Sequence, residues 1–161
     1  MSSSHAQDLS HYSLSADDVI SITVFDEPDL SLREARISSN GTIALPLIGQ
    51  VSIRGKSIRE AEQIIHDLYL GDYLKNPDIT ITIVEYRQFY VNGEVEKPGG
   101  YSYREGMTVQ RAITLAGGFT ERASRSNIKL IRENNSSSAI EAQLNTQVQP
   151  GDVITVEESF F

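Results

Sequence analysis

The chain has 161 residues, no cysteine, 39% hydrophobic and 22% charged residues, and a formal charge of -8. That length and mix describe a globular protein of one or two domains with a real core, not a disordered chain. Acidity argues against general nucleic-acid binding, which needs a basic surface, and the missing cysteine removes disulfides, thiolate zinc sites, thiol catalysis and cysteine lipidation. No apolar run approaches the ~20 residues of a membrane-spanning helix.

Ser4-His5-Ala6 ahead of Gln7 fits the end of a secretory signal, and fits an unstructured start equally well. Asp18 to Phe25 is β-branched and alternating, which predicts a strand, broken by Asp26-Glu27-Pro28-Asp29. Asn40-Gly41 between Arg36-Ile37-Ser38 and Thr42-Ile43-Ala44-Leu45 predicts a tight hairpin. A short strand over Gln50 to Ile53 follows Pro46-Leu47-Ile48-Gly49. Ser57-Ile58-Arg59-Glu60 is a capping box, with Ile58, Ala61, Ile64, Ile65 and Leu68 on one helical face and Gly71 as the stop. After the Asn76-Pro77 turn, Asp78 to Tyr86 alternates as a strand.

A second unit is expected from residue 87. Phe89-Tyr90-Val91 begins it, and Lys97-Pro98-Gly99-Gly100 turns into Tyr101-Ser102-Tyr103. Thr108 caps a short helix carrying Val109, Ala112, Ile113 and Ala116, stopped by Gly117-Gly118. Asn127 to Arg132 and Ser138 to Leu144 read as a hairpin across Asn134 to Ser137, and Val153 to Val156 is a last strand. The order of elements is α+β rather than a regular βαβ alternation. Asp18-Val19-Ile20 has an echo in Asp152-Val153-Ile154, too short to establish a repeat.

No constellation makes an enzyme. Asp26, Glu27 and Asp29 fit neither a calcium loop nor a glycosidase pair, and read as a solvated turn. At Asp17-Asp18 either side chain can fold back onto a turn backbone. His5, His11 and His66 stand at no metal-ligand spacing, so no metal and no cofactor is expected, and His66 reads as a surface residue. The glycine pairs lack the Gly-Lys-Ser/Thr of a phosphate loop. Two basic groups stand out against the acidic average: Arg122, Arg125, Lys129 and Arg132, and the smaller pair Arg33 and Arg36. Either group meets an acidic glycan or a neighbouring subunit's carboxylates, or is a solvated face.

The ordered motifs go further. Asp18 to Phe25, Glu27-Pro28-Asp29-Leu30-Ser31, Asn40-Gly41-Thr42-Ile43, Leu45-Pro46-Leu47-Ile48-Gly49 and Asn76-Pro77-Asp78-Ile79-Thr80-Ile81 together resemble the polysaccharide biosynthesis/export family of Wza-type outer-membrane exporters. Val91-Asn92-Gly93-Glu94-Val95, Lys97-Pro98-Gly99, Ala116-Gly117-Gly118 and Pro150-Gly151-Asp152-Val153-Ile154 resemble that family's SLBB domain, a β-grasp fold. The resemblance implies a start over 1–11, an export domain over 12–86, an SLBB domain over 87–158 and an end at 159–161. It implies a periplasmic, non-enzymatic subunit of a homo-oligomeric ring for capsular or exopolysaccharide, working with an inner-membrane polysaccharide co-polymerase and without nucleic acid.

Departures from the family's long members carry expectations of their own. Without a cysteine there is no lipid anchor. An end at Phe161 leaves out a further β-grasp domain and the membrane-barrel helix, so the outer membrane is reached only through partners or segments absent from this chain. The stretch between Leu30 and Ile37 is a shortened loop, with Arg33 and Arg36 near the channel mouth. The alternative reading is a monomeric periplasmic β-grasp module that binds a glycan or another ligand.

Overall fold

A computed structural model describes residues 12–133 and 135–160, with the side chains of residues 135–137 left aside. The chain divides into two compact units, the division falling between Arg87 and Gln88. The secretory-signal reading, His5 and His11 lie outside the described residues.

The first unit holds β1 (Val19–Val24), β2 (Leu32–Arg36), β3 (Thr42–Leu45), β4 (Gly49–Ser52), α1 (Ile58–Tyr69) and β5 (Ile79–Glu85). β1 is the centre of an antiparallel sheet of order β2-β1-β5. Its β-branched alternation puts Ile20, Ile22 and Val24 in the core. β3 and β4 form a separate two-stranded ribbon.

Helix α1 begins as its sequence dictates. The Ser57 hydroxyl accepts from the Glu60 N–H at 3.1 Å, and the Glu60 carboxylate accepts from the Ser57 N–H at 2.9 Å. That backbone hydrogen bond holds the Glu60 carboxyl below its ordinary pKa. Ala61, Ile65 and Tyr69 are fully buried along one stripe. Each large side chain so buried contributes about 1.5–3 kcal/mol. The Glu62 carboxylate accepts from the Ile81 N–H at 3.0 Å, so the helix also satisfies a backbone donor on β5.

The second unit holds β6 (Phe89–Gly93), β7 (Gly99–Tyr101), α2 (Val109–Leu115), β8 (Ala123–Arg132), β9 (Asn135–Ala142) and β10 (Val153–Glu158). They make one mixed sheet of order β7-β6-β10-β8-β9. β6 and β10 are parallel, and every other pairing is antiparallel. A parallel central pair must be joined by a crossover, and α2 lies within it, giving a β-grasp build. Val109, Ala112, Ile113 and Ala116 are buried, as their spacing predicts. Thr108 caps the helix, its hydroxyl accepting from the Arg111 N–H at 3.3 Å.

Four local expectations are corrected. Asn40-Gly41 does turn the chain, but its flanks join different sheets: residues before it lead from β2, and β3 pairs with β4. Gly41 is required at φ +79°, where a Cβ would stand 2.5 Å from the Arg54 Cβ. The true hairpin loop is Pro46-Leu47-Ile48, with Leu47 itself at φ +72°. The stretch between Leu30 and Ile37 is not a loop but the edge strand β2. On α1, Leu68 faces solvent and Tyr69 takes the core position, continuing the i, i+4 row of Ala61 and Ile65, with its hydroxyl donating to the Pro46 carbonyl at 2.8 Å. β9 begins at Asn135, so the β8–β9 connection is shorter than the four residues expected.

Candidate functional site

The sequence echo has a physical counterpart. Asp18 and Asp152 are the two buried polar or charged side chains among the described residues, at 0% and 1% exposure. Each stands one residue before the central strand of its sheet. In each, Oδ2 accepts from a backbone N–H three residues earlier: Ser15 at 3.1 Å and Gln149 at 2.7 Å. Each also meets an arginine, Arg87 at 2.9 Å and Arg132 at 2.5 Å. A short side chain that turns the chain into a strand must enter the core, and it then needs a cation and donors to hold its charge there.

The Asp18 site is the more elaborate. The Tyr12 hydroxyl donates to both carboxylate oxygens, at 2.9 and 2.8 Å, and the Arg87 N–H donates at 2.8 Å. The Arg87 guanidinium also donates to the Tyr12 hydroxyl and lies 5.3 Å from the centroid of that ring. Burial, and then the Asp18 charge, push the Tyr12 phenol well above its ordinary pKa. Tyr12 packs edge-on to Tyr86. Carboxylate, phenol and guanidinium thus hold one another in a single hydrogen-bonded cluster. Asp18 was legible only as a turn former; its charge pairing with Arg87, 69 residues away, was not.

The basic residues are placed as follows. Arg33 and Arg36 both project from β2 and are exposed, and Arg36 donates to the Asp17 carbonyl at 3.2 Å. The second basic group does not act together. Arg122 stands 3.9 Å from Glu158, Lys129 donates to Glu141 at 2.5 Å, and Arg132 is taken by Asp152 and the Gln147 carbonyl. Among the described residues Arg125 alone of the four meets no carboxylate; its guanidinium carbon lies 4.8 Å from the centroid of Phe119. Strand alternation and a register change scatter the group, a separation that linear spacing does not reveal.

The acidic group is a solvated turn. Asp26 and Asp29 are exposed around a single 3-10 turn at Pro28–Leu30, and the Ser31 hydroxyl ties the turn by accepting from Val24 N–H at 2.9 Å. His66 meets the neighbouring Asp67 at 3.0 Å, and hydrogen bonds from His66 and Gln63 lower the Asp67 pKa. Among the described residues no group of three or more acidic or histidine side chains is arranged to hold a metal ion. Among the described residues no helix is long and apolar enough to cross a membrane.

The fold and its residues define a two-unit α+β protein in which a mixed strand-and-helix unit precedes a β-grasp unit. Residues 6–84 match the family described as polysaccharide biosynthesis/export protein, and residues 88–141 match the SLBB domain. The chain belongs to the polysaccharide biosynthesis/export family, whose description is that of an export protein and not of an enzyme class. It is similar to the exopolysaccharide production protein ExoF of Rhizobium meliloti (strain 1021), at 33% identity over 51% of this chain and 20% of that protein. It is also similar to the EPS I polysaccharide export outer membrane protein EpsA of Ralstonia nicotianae, at 28% identity over 91% of this chain and 47% of that one. The polysialic acid transport protein KpsD of Escherichia coli shares 28% identity over 81% of this chain and 22% of its own length. The chain thus spans less than half the length of these curated relatives.

Proposed function

We propose that this protein is a periplasmic subunit of a polysaccharide export channel, with an export domain over 12–86 and an SLBB domain over 87–158. The observation that carries the reading is the order of the two family matches along one chain, each falling on one compact unit. Three relatives named for exopolysaccharide or polysialic acid production, export or transport support it. The subunit acts as a homo-oligomeric ring, alongside an inner-membrane co-polymerase, and reaches the outer membrane through partners. It binds sugar weakly, because a translocation path that held the polymer tightly would stall it.

Deletion of the gene tests this directly. Surface polysaccharide is expected to fall sharply and to return on complementation. Normal export from the deletion strain would refute the reading. Light scattering of the purified chain under assembly conditions tests the ring, with a species several-fold heavier than 17.8 kDa expected.

A further inference from the structure

We propose that the start of β8 forms a docking groove for a carboxylate-bearing sugar, with Arg125 as its anion receptor. The inference rests on the export reading and names a chemistry for the polymer.

The groove originates in strand register. β8 and β10 pair at Val156 with Ile128, and next at Glu158 with Ala123. Four residues of β8, Ser124 to Asn127, therefore cover a stretch that β10 crosses with Glu157 alone. The surplus chain leaves the ladder as an extended bulge, and bulges re-aim the side chains they carry. An open cavity of about 630 Å³ lies there, bounded by Ala123 to Asn127 on one side and Glu158 to Phe160 on the other.

Its lining has the chemistry of a sugar-acid site. A guanidinium resting on an aromatic face keeps its N–H fork in its own plane, where it meets a carboxylate bidentately. Arg125 is so placed on Phe119, is exposed, and has neither a carboxylate nor a hydrogen-bond acceptor among the described residues. Ser124, Ser126 and Asn127 supply hydroxyl and amide groups beside it. Phe160, at 86% exposure, offers an apolar ring for the C–H face of a pyranose. Glu158 is the opposing charge, and it is drawn toward Arg122 at 3.9 Å. A charge of -8 on the whole chain repels a polyanion at long range, which keeps the contact local and weak.

Nitrogen-15 NMR of the full chain, titrated with trigalacturonate and separately with the neutral maltotriose, tests the groove. Trigalacturonate is expected to shift the amides of Ser124 to Asn127 and Ser159, saturating on the order of millimolar. Maltotriose is expected to bind more weakly by roughly tenfold. Arg125→Gln should weaken trigalacturonate by roughly tenfold, with the amides outside the groove unmoved. Arg59→Gln, on the exposed face of α1, should leave binding unchanged. Absence of shifts at about 20 mM trigalacturonate, equal binding of maltotriose, or unchanged binding by Arg125→Gln each overturns the proposal. The export assay separates the two readings. Failure of binding while deletion abolishes export removes the groove alone; binding with normal export in the deletion strain removes the export reading alone.

Discussion

Removing the Asp18 carboxylate strips the first unit of its central electrostatic anchor. Five contacts reach that group: two from the Tyr12 hydroxyl, one each from the Ser15 and Arg87 backbone N–H groups, and one from the Arg87 guanidinium, all between 2.8 and 3.1 Å. Asp18→Ala leaves two backbone donors without that acceptor and the Arg87 side chain, 12% exposed, without its carboxylate. Breaking one side of such a buried pair costs about 3–5 kcal/mol. With a urea slope of roughly 1–2 kcal/mol per M for a unit of this size, the midpoint falls by about 1.5–5 M. Urea unfolding followed on the amide resonances of β1 and β5 reads this unit by itself. A double-mutant cycle isolates the pair: Asp18→Asn and Arg87→Gln together should cost about 2 kcal/mol less than the sum of the singles, since a neutral pair fills the same site. A loss below about 1 kcal/mol for Asp18→Ala, or strict additivity in the cycle, would refute the reasoning.

Gly93 stands at φ +85°, and a Cβ there would lie 2.2 Å from the Val156 carbonyl oxygen. Gly93→Ala must force β6 away from β10, so the second unit is expected to lose more than about 3 kcal/mol, whereas Gly106→Ala, at φ +82° with open space around it, should lose only about 1–2 kcal/mol for the left-handed backbone. Equal losses for the two, measured by urea unfolding of the second unit, would show that the close approach does not matter. Burial, followed by the charges of Glu105 and Asp152, pushes the Tyr103 phenol up to about 12. A raised folded pKa means that its stabilising contribution is complete below pH ~10 and is lost as pH rises toward 12. Ultraviolet titration of the protein against Tyr103→Phe should reveal one phenol ionising late, and a difference spectrum with its midpoint near 10 would contradict this.

Much of the fold was legible because it rests on local physics. The alternation of β1 and β5, the capping box of α1 and the apolar spacing of α2 each express a preference that the segment carries alone. The misreadings share one cause, a choice made by a distant partner. Asn40-Gly41 is compatible with a hairpin, yet β2 pairs with β1 and β3 with β4. Leu68 and Tyr69 both suit the edge of a helical stripe; the core takes Tyr69, whose hydroxyl finds an acceptor in the Pro46 carbonyl 23 residues away. Arg122 and the basic residues of β8 lie close together in the sequence, but Glu158, Glu141, Asp152 and Phe119 draw them to four different surroundings.

The absence of cysteine already excluded a disulfide framework and thiol chemistry, and the net acidity argued against general nucleic-acid binding, because composition bounds what any fold of the chain can present. The ordered motifs carried the family resemblance, since they set strands and turns in one order along the chain. Which charges are free was decided only in three dimensions. Asp18 and Arg87, or Arg132 and Asp152, neutralise each other across long stretches of chain. Among the described residues Arg125 meets no carboxylate, and a register change in β8 and the Phe119 ring set its surroundings. Pairing energy falls off over a few ångströms, so it is set by where the folded chain brings two groups and not by their separation in sequence.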